Sequence, residues 1–378
     1  MPWLWYELRM AHVTIDLERL KTPHCGLGQY SLHLGRALAQ QAGDELQLRL
    51  FLPPGQAALF AGLPVEFDFV RSWRREALMR PLRPLLAALP RPRVDLWHTT
   101  HQQAKYLPLD ARTPVLLTIH DLNFLREGRP AKVVRELRSV QRLVDRAVAV
   151  TTISQFVAGE VHEHLNLRGK PLHVIYNGAF AGPREAAIRP AWLPEGPFLF
   201  TIGDITPKKN FHVLVDFLAR IADYRLVIAG RKGHAYAGEI EALARERQLS
   251  DRVLLPGPIS DAERAWLYEH CEALVFPSKT EGFGLPVIEA MSLGRPVFVS
   301  HATSLPEVAG PLGFYWHDYS PEHMADVFHA GLQTFAADPD YSRKLKAYAS
   351  RFTWDRAAAG YLQVYRDLLG LHHQKRAA

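Results

Sequence analysis

Cysteine is scarce in this chain: Cys25 and Cys271 are the only two in 378 residues, and they lie far apart. So few thiols exclude a disulfide framework and a cysteine-held metal cage, and they point to a reducing compartment. Long apolar runs are missing as well. No stretch reaches the roughly 20 residues that a membrane-spanning helix needs. The first ten residues include Glu7 and Arg9 and no apolar core, so no signal peptide is expected, and Met10 is an alternative start to Met1. Internal repeats, low-complexity tracts, zinc-finger spacing and an RNA-binding aromatic signature are absent, and no nucleic-acid partner is expected. Acid clusters are rare too. Asp338-Pro339-Asp340 has the spacing of a metal motif but falls between expected C-terminal helices and reads as a turn.

What is present fits a globular protein with an ample core: 48% hydrophobic and 22% charged residues. The length suggests two domains. The net charge of +6 is uneven: residues 1–180 hold 23 Lys and Arg against 16 Asp and Glu, the remainder 22 against 23. A basic first half suits an acidic surface or acceptor.

Strand and helix patterns alternate through both halves. Short apolar runs at Val13–Ile15, Val94–Trp97, Val115–Ile119 and Ala147–Thr152 read as strands of the first half, and Leu46–Leu52 alternates enough for another. Helices are expected at about Gln29–Gln41 and Ala131–Arg146, with Ser154 as an N-cap candidate and Val174–Gly178 as a last strand and exit. Residues 181–197 hold four prolines and two glycines, a linker composition. The second half restarts with strands at Phe198–Ile202, Leu226–Ala229, Val253–Leu255, Ala273–Phe276 and Pro296–Val299. The expected fold class is therefore α/β, two doubly wound Rossmann-like domains facing a cleft. The boundaries are 1–180, a linker at 181–197, 198–352, and a final helix within 353–378.

The most informative stretch follows the run Ala273–Phe276. It reads Pro277-Ser-Lys-Thr-Glu281-Gly-Phe283-Gly284-Leu285-Pro286-Val-Ile-Glu289. This is strand, glycine turn, helix, with Pro286 suited to the first helical position and Gly294 to the C-terminal cap. A helix start offers free N–H groups and a positive dipole end, hence an anion site. Glu281 and Glu289 flank it. A solvated loop acid and a buried Glu bonded to backbone are the plainer reading of those two. Three other strand ends carry candidates: the loop with Gly26 and Gly28, the polar cluster His98-Thr99-Thr100-His101 after Val94–Trp97, and His120-Asp121 after Val115–Ile119. An ordinary turn and a capped loop histidine are their plainer alternatives.

The wording Glu281, seven residues, Glu289, with Gly-Phe-Gly-Leu-Pro between, resembles the nucleotide-sugar signature of glycosyltransferase family 4. Ile119-His120-Asp121, Thr152-Ile153-Ser154-Gln155-Phe156, Val174-Ile175-Tyr176-Asn177-Gly178 and Ser304-Leu305-Pro306-Glu307-Val308 resemble other loops of that family. The resemblance implies the GT-B architecture, with the final helix crossing back to the first domain. It implies a nucleotide-sugar donor, no cofactor and no metal, and retention of anomeric configuration by front-face attack. His120 would bond the donor sugar, Glu281 a sugar hydroxyl, and Glu289 the ribose hydroxyls. The backbone at Phe283, Gly284 and Leu285 would hold phosphate or sugar, Lys208 and Lys209 the leaving diphosphate, and the loop of Gly26 and Gly28 would close over donor and acceptor. Base recognition falls near Arg231, Lys232 and Pro258-Ile259. One departure stands out: where many members carry Arg after the loop glycine, this chain has Asp204.

Pro207-Lys208-Lys209-Asn210 and the His120 loop look most like bacterial mannosyltransferases of surface polysaccharide, so GDP-mannose is the favoured donor and a lipid-linked glycan the favoured acceptor. A UDP-sugar donor, a sugar-nucleotide epimerase or phosphorylase of the same fold, and a non-catalytic binding paralogue are the alternatives. Residues 71–93 hold seven arginines against one acid, Glu76, with interleaved apolar residues. Such a segment can rest on an anionic membrane, which would place the protein in the cytoplasm at the inner membrane face. A solvated helix face is the plainer reading, and Pro81 and Pro84 interrupt any single helix.

Overall fold

Strands sealed on both faces by helices need near-continuous apolar sequence, and several runs here satisfy that. All five residues of Val115–Ile119 are buried, as are all four of Ala273–Phe276. In the computed structural model, residues 10–23, 25–82, 92–179 and 186–371 are described. Among them, the strands form two parallel sheets.

The first sheet contains β1 (Ala11–Asp16), β2 (Leu46–Leu52), β3 (Glu66–Phe69), β4 (Leu96–Thr99), β5 (Val115–Ile119), β6 (Ala149–Thr152) and β7 (Leu172–Val174). Their order is β3-β2-β1-β4-β5-β6-β7. The second contains β8 (Phe198–Ile202), β9 (Arg225–Ala229), β10 (Val253–Gly257), β11 (Ala273–Phe276), β12 (Val297–Ser300) and β13 (Phe314–Trp316), ordered β10-β9-β8-β11-β12-β13. Both sheets thus start centrally, grow to one side, and reverse. The reversals lie between β1 and β4 and between β8 and β11, and such switch points are where open parallel sheets bind ligands.

The chain divides into two units: everything up to Gly178 together with the segment from Trp354, and Ala179–Thr353. The helix Trp354–Leu369 packs within the first unit, where Tyr361 Oη and Tyr30 Oη are 2.8 Å apart. Residues 186–197 belong to the second unit. There Ile188 N donates to Ala262 O at 3.2 Å, and Trp192 Nε1 to Glu263 Oε1 at 3.1 Å. Residues 181–185 of the expected linker and 372–378 of the final segment lie outside the described residues, as do Met1 to residue 9. The second core gathers Phe217, Phe298, Trp316 and Phe328 with the apolar faces of β8, β9 and β11. The first holds Leu117, Ile119, Val140, Val144 and Val161, and a second cluster around Phe51, Trp97 and Tyr106.

Several details differ from the sequence reading. The first helix starts at Gly26, so Gly26 and Gly28 lie in its first turn rather than in a loop. The fourth strand runs to Thr99, so His98 is a fully buried strand residue, not part of a strand-end cluster. The edge strands β3 and β13 had no apolar run long enough to announce them, and β7 ends where the reading began it. Within 71–93, the described part forms short turns, Ser72–Arg74, Glu76–Met79 and Arg80–Leu82. Residues 83–91 lie outside the described residues. No helix among the described residues is long and apolar enough to cross a membrane.

Candidate active site

The second unit's switch point assembles from two loops. After β8, Gly203 turns the chain at φ +152°, and a one-turn helix Pro207–Lys209 follows. Lys209 then folds back over the turn. A Cβ at residue 203 would stand 3.2 Å from its Cε and 3.4 Å from its Nζ, so the glycine leaves room for the lysine. After β11, the loop Pro277–Gly284 leads into the helix Leu285–Ser292, with Gly284 at φ +106° and Pro286 one place later than expected. Lys279 N donates to Lys208 O at 2.9 Å and ties the two loops together.

Lys209 Nζ donates to Glu281 Oε1 at 2.6 Å, and Ser278 Oγ donates to the same oxygen at 2.6 Å. Both side chains are largely shielded, at 12% and 14% exposure. The ammonium also sits 4.9 Å over the Phe276 ring. The loop after β12 supports this pair. Glu281 N donates to Thr303 Oγ1 at 3.0 Å, and Ser304 Oγ donates to Glu281 O and Phe283 O at 3.0 and 3.1 Å. Thr303 has φ +52°, an uncommon conformation for a β-branched residue, so the backbone here is strained in favour of that contact.

Glu289 is half-buried rather than buried. Tyr268 Oη donates to its Oε2 at 2.7 Å, and burial together with that carboxylate pushes the Tyr268 phenol well up. Phe283 is buried against Phe352, so only its backbone is available to a ligand. Arg231, expected near the base, forks onto Asp204 instead: Nε to Oδ1 at 2.8 Å and an Nη to Oδ2 at 2.6 Å. Lys232 pairs with Glu241 at 3.0 Å. Asp338 and Asp340 are taken up by Lys344 and Arg343 at a helix junction. Among the described residues, no group of three or more His, Cys, Asp or Glu is placed to hold a metal ion.

The first unit's switch point carries a different chemistry. His120 follows β5; its backbone N donates to Gln102 Oε1 at 3.0 Å, and its Nε2 lies 2.8 Å from Thr100 O. A carbonyl only accepts, so Nε2 carries the proton and Nδ1 is the acceptor of the neutral ring. Burial lowers His120 to about 4, so it is neutral near pH 7. His101 accepts from an Arg19 Nη at 2.9 Å. Asp16, at the end of β1, is raised to about 7 by burial, although it accepts from Glu18 N. Asp16, Ser278, Tyr268 and Thr303 were not singled out in sequence. Asp16 could have been, since it ends the strand beside the reversal.

Gly26 and Gly28 separate in role. A Cβ on Gly28 would lie 2.2 Å from Thr22 O, so the glycine is required by the chain itself. A Cβ on Gly26 would meet nothing within 4 Å. The helix start at Gly26 is thus open to a ligand.

Comparison with known proteins decides what these two switch points belong to. The family model for "Glycosyltransferase Family 4" matches residues 25–179, and that for "Glycosyl transferases group 1" matches residues 185–352. The chain belongs to glycosyltransferase family 4. It is 27% identical over 384 residues to the O-antigen chain mannosyltransferase B of Escherichia coli, covering 93% of this chain and 98% of that one. It is 28% identical over 245 residues to the serotype-specific mannosyltransferase WbdA of the same organism, covering 60% of this chain. That match spans only 29% of WbdA's own length. Among solved structures, sucrose-phosphate synthase from Thermosynechococcus elongatus superposes with a TM-score of 0.69 at 20% identity, covering 96% of this chain and all of that one. HepE of Anabaena, in complex with UDP-glucose, gives 0.69 at 19% identity, covering 93% and 99%. The fold is therefore GT-B, and the chain is a glycosyltransferase.

Proposed function

We propose that this family 4 enzyme transfers mannose from GDP-mannose, with retained configuration and without a metal, to a glycan or lipid-linked glycan of a bacterial surface polysaccharide. The observation that carries a nucleotide-sugar site is the shielded Lys209–Glu281 pair beside the Gly284 helix start. The mannose reading draws support from the mannosyltransferases among the relatives.

As the bond from the anomeric carbon to the phosphate oxygen breaks, charge develops on the leaving diphosphate. Lys209 and the N–H groups at Gly284 and Leu285 stabilise it; such preorganised groups are often the largest catalytic term. The acceptor hydroxyl forms the new bond on the same face, and its proton passes to the departing phosphate oxygen. Glu281 accepts from a sugar hydroxyl, Glu289 from the ribose, and His120 from a sugar hydroxyl at Nδ1. We infer a cytoplasmic location at the inner membrane face, with exposed Leu78, Leu82, Arg75 and Arg80 meeting anionic lipid.

Thermal unfolding with GDP, UDP, dTDP and their sugars, without added metal, tests the donor. A ligand at about 100 times its dissociation constant adds roughly 2.7 kcal/mol, a shift of several degrees. A shift with GDP and GDP-mannose alone, lost in Glu289→Ala, is the expected result. A shift confined to UDP species overturns mannose and favours a UDP-sugar, the class of molecule bound in the HepE complex.

A further inference from the structure

The turns after β8 and β9 touch. Gly203 N donates to Ala229 O at 3.0 Å, and a Cβ on Gly230 would lie 1.9 Å from Gly203 O. Gly230 has φ +139°, so both corners depend on glycine. The residues that leave these corners, Asp204 and Arg231, meet in the two-point fork described above. Lys209 lies over the same Gly203, from the other side of the sequence. Arg231 therefore stands on the lysine's own platform. Asp204 is held below the ordinary carboxylate range, chiefly by Arg231, with smaller contributions from Lys209 and Lys208. Arg231 is thus the cation that holds this carboxylate at the switch point.

The two ion pairs there differ in exposure. Lys209–Glu281 is shielded, whereas Arg231 and Asp204 are 55% and 43% exposed. A pair that open to solvent contributes little, so an incoming anion exchanges for Asp204 at little loss. A guanidinium also matches two phosphate oxygens as well as it matches two carboxylate oxygens. A nucleoside diphosphate carries more negative charge than Lys209 alone offsets, the more so because Glu281 already neutralises that lysine.

We propose that Arg231 is the second cation of the donor's diphosphate, presented beside Lys209 by Asp204, and that it reads phosphate rather than the base. This rests on the nucleotide-sugar reading above and assigns one residue within it. Asp204 is a positioning residue that ligand displaces.

The test is the binding of GDP, GMP, UDP and UMP to the full chain and to Arg231→Gln. The variant is expected to lose about 10- to 100-fold in affinity for the diphosphate that the wild type prefers, the size expected for a lost bond to a charged group. Its affinity for the matching monophosphate is expected to stay unchanged. Equal loss for monophosphate and diphosphate overturns the proposal and returns Arg231 to base or ribose recognition. Undiminished diphosphate affinity overturns it as well. A charge swap adds a second check. Arg231→Asp is expected to lose diphosphate selectivity, and Asp204→Arg with Arg231→Asp to recover most of it, because the cation returns to the same fork. A folded double variant that stays non-selective contradicts the proposal. If the wild type binds none of the four nucleotides, the donor reading falls first, and this assignment falls with it.

Discussion

Lys209 and Glu281, 72 residues apart in sequence, meet at 2.6 Å where the second sheet reverses. The contact makes the two residues one unit. The carboxylate fixes where the ammonium points, and Ser278 Oγ holds the same carboxylate oxygen in place.

Lys209→Ala is expected to lower turnover by about 100- to 1000-fold while the protein stays folded. Glu281→Gln is expected to lower it in the same direction, because the amide holds the lysine less firmly. Steady-state transfer from the nucleotide sugar checks both. Wild-type turnover in Glu281→Gln removes the carboxylate from the mechanism.

The two glycines of the first helix separate stability from ligand binding. Gly28→Ala forces a methyl against Thr22 O and is expected to destabilise by about 1–3 kcal/mol. Gly26→Ala meets open space, so its unfolding midpoint is expected to hold while activity falls. Denaturant melts paired with turnover measure the contrast; equal behaviour of the two variants contradicts it.

Tyr268 presents Glu289. Tyr268→Phe removes the hydroxyl that donates to Oε2 and is expected to raise KM for the donor with a smaller change in kcat. A ribose-binding Glu289 also predicts that Glu289→Ala weakens nucleotides of every base alike. A base-selective loss in that variant counts against the ribose role.

Acid sensitivity follows from buried histidines in the first unit. Burial lowers His98 to about 3 and His120 to about 4, and drives His101 well below its usual value. Unfolded, each titrates near 6.5, so stability present above that pH is lost as pH falls toward 4, at up to about 1.4 kcal/mol per unit for each group. Asp16 acts oppositely. Its folded value of about 7 exceeds the ordinary 3.8, so its contribution is present at low pH and lost as pH rises through 7. Three groups outweigh one, and the unfolding midpoint is expected to drop between pH 7 and 5. A midpoint that rises over that interval would refute the neutral-histidine assignment.

The sequence by itself determined the fold class, because parallel strands covered on both faces read as nearly continuous apolar runs. β5, β8 and β11 were read with their observed limits for that reason, and β2 from its alternation. Edge strands escape the rule: β3 reads Glu-Phe-Asp-Phe with two residues exposed, and nothing in such a run separates it from a loop. The sequence also supplied the site's chemical types, since glycine turns, lysines and acids at strand ends have few other uses.

Tertiary structure alone decided who holds whom. Lys209 with Glu281, Asp204 with Arg231 and Tyr268 with Glu289 join loops or helices that follow different strands, so only the sheet order brings them within bonding distance. It also withdrew His98 from the site, because two further residues of β4 carried it into the core, where burial lets only the neutral ring persist.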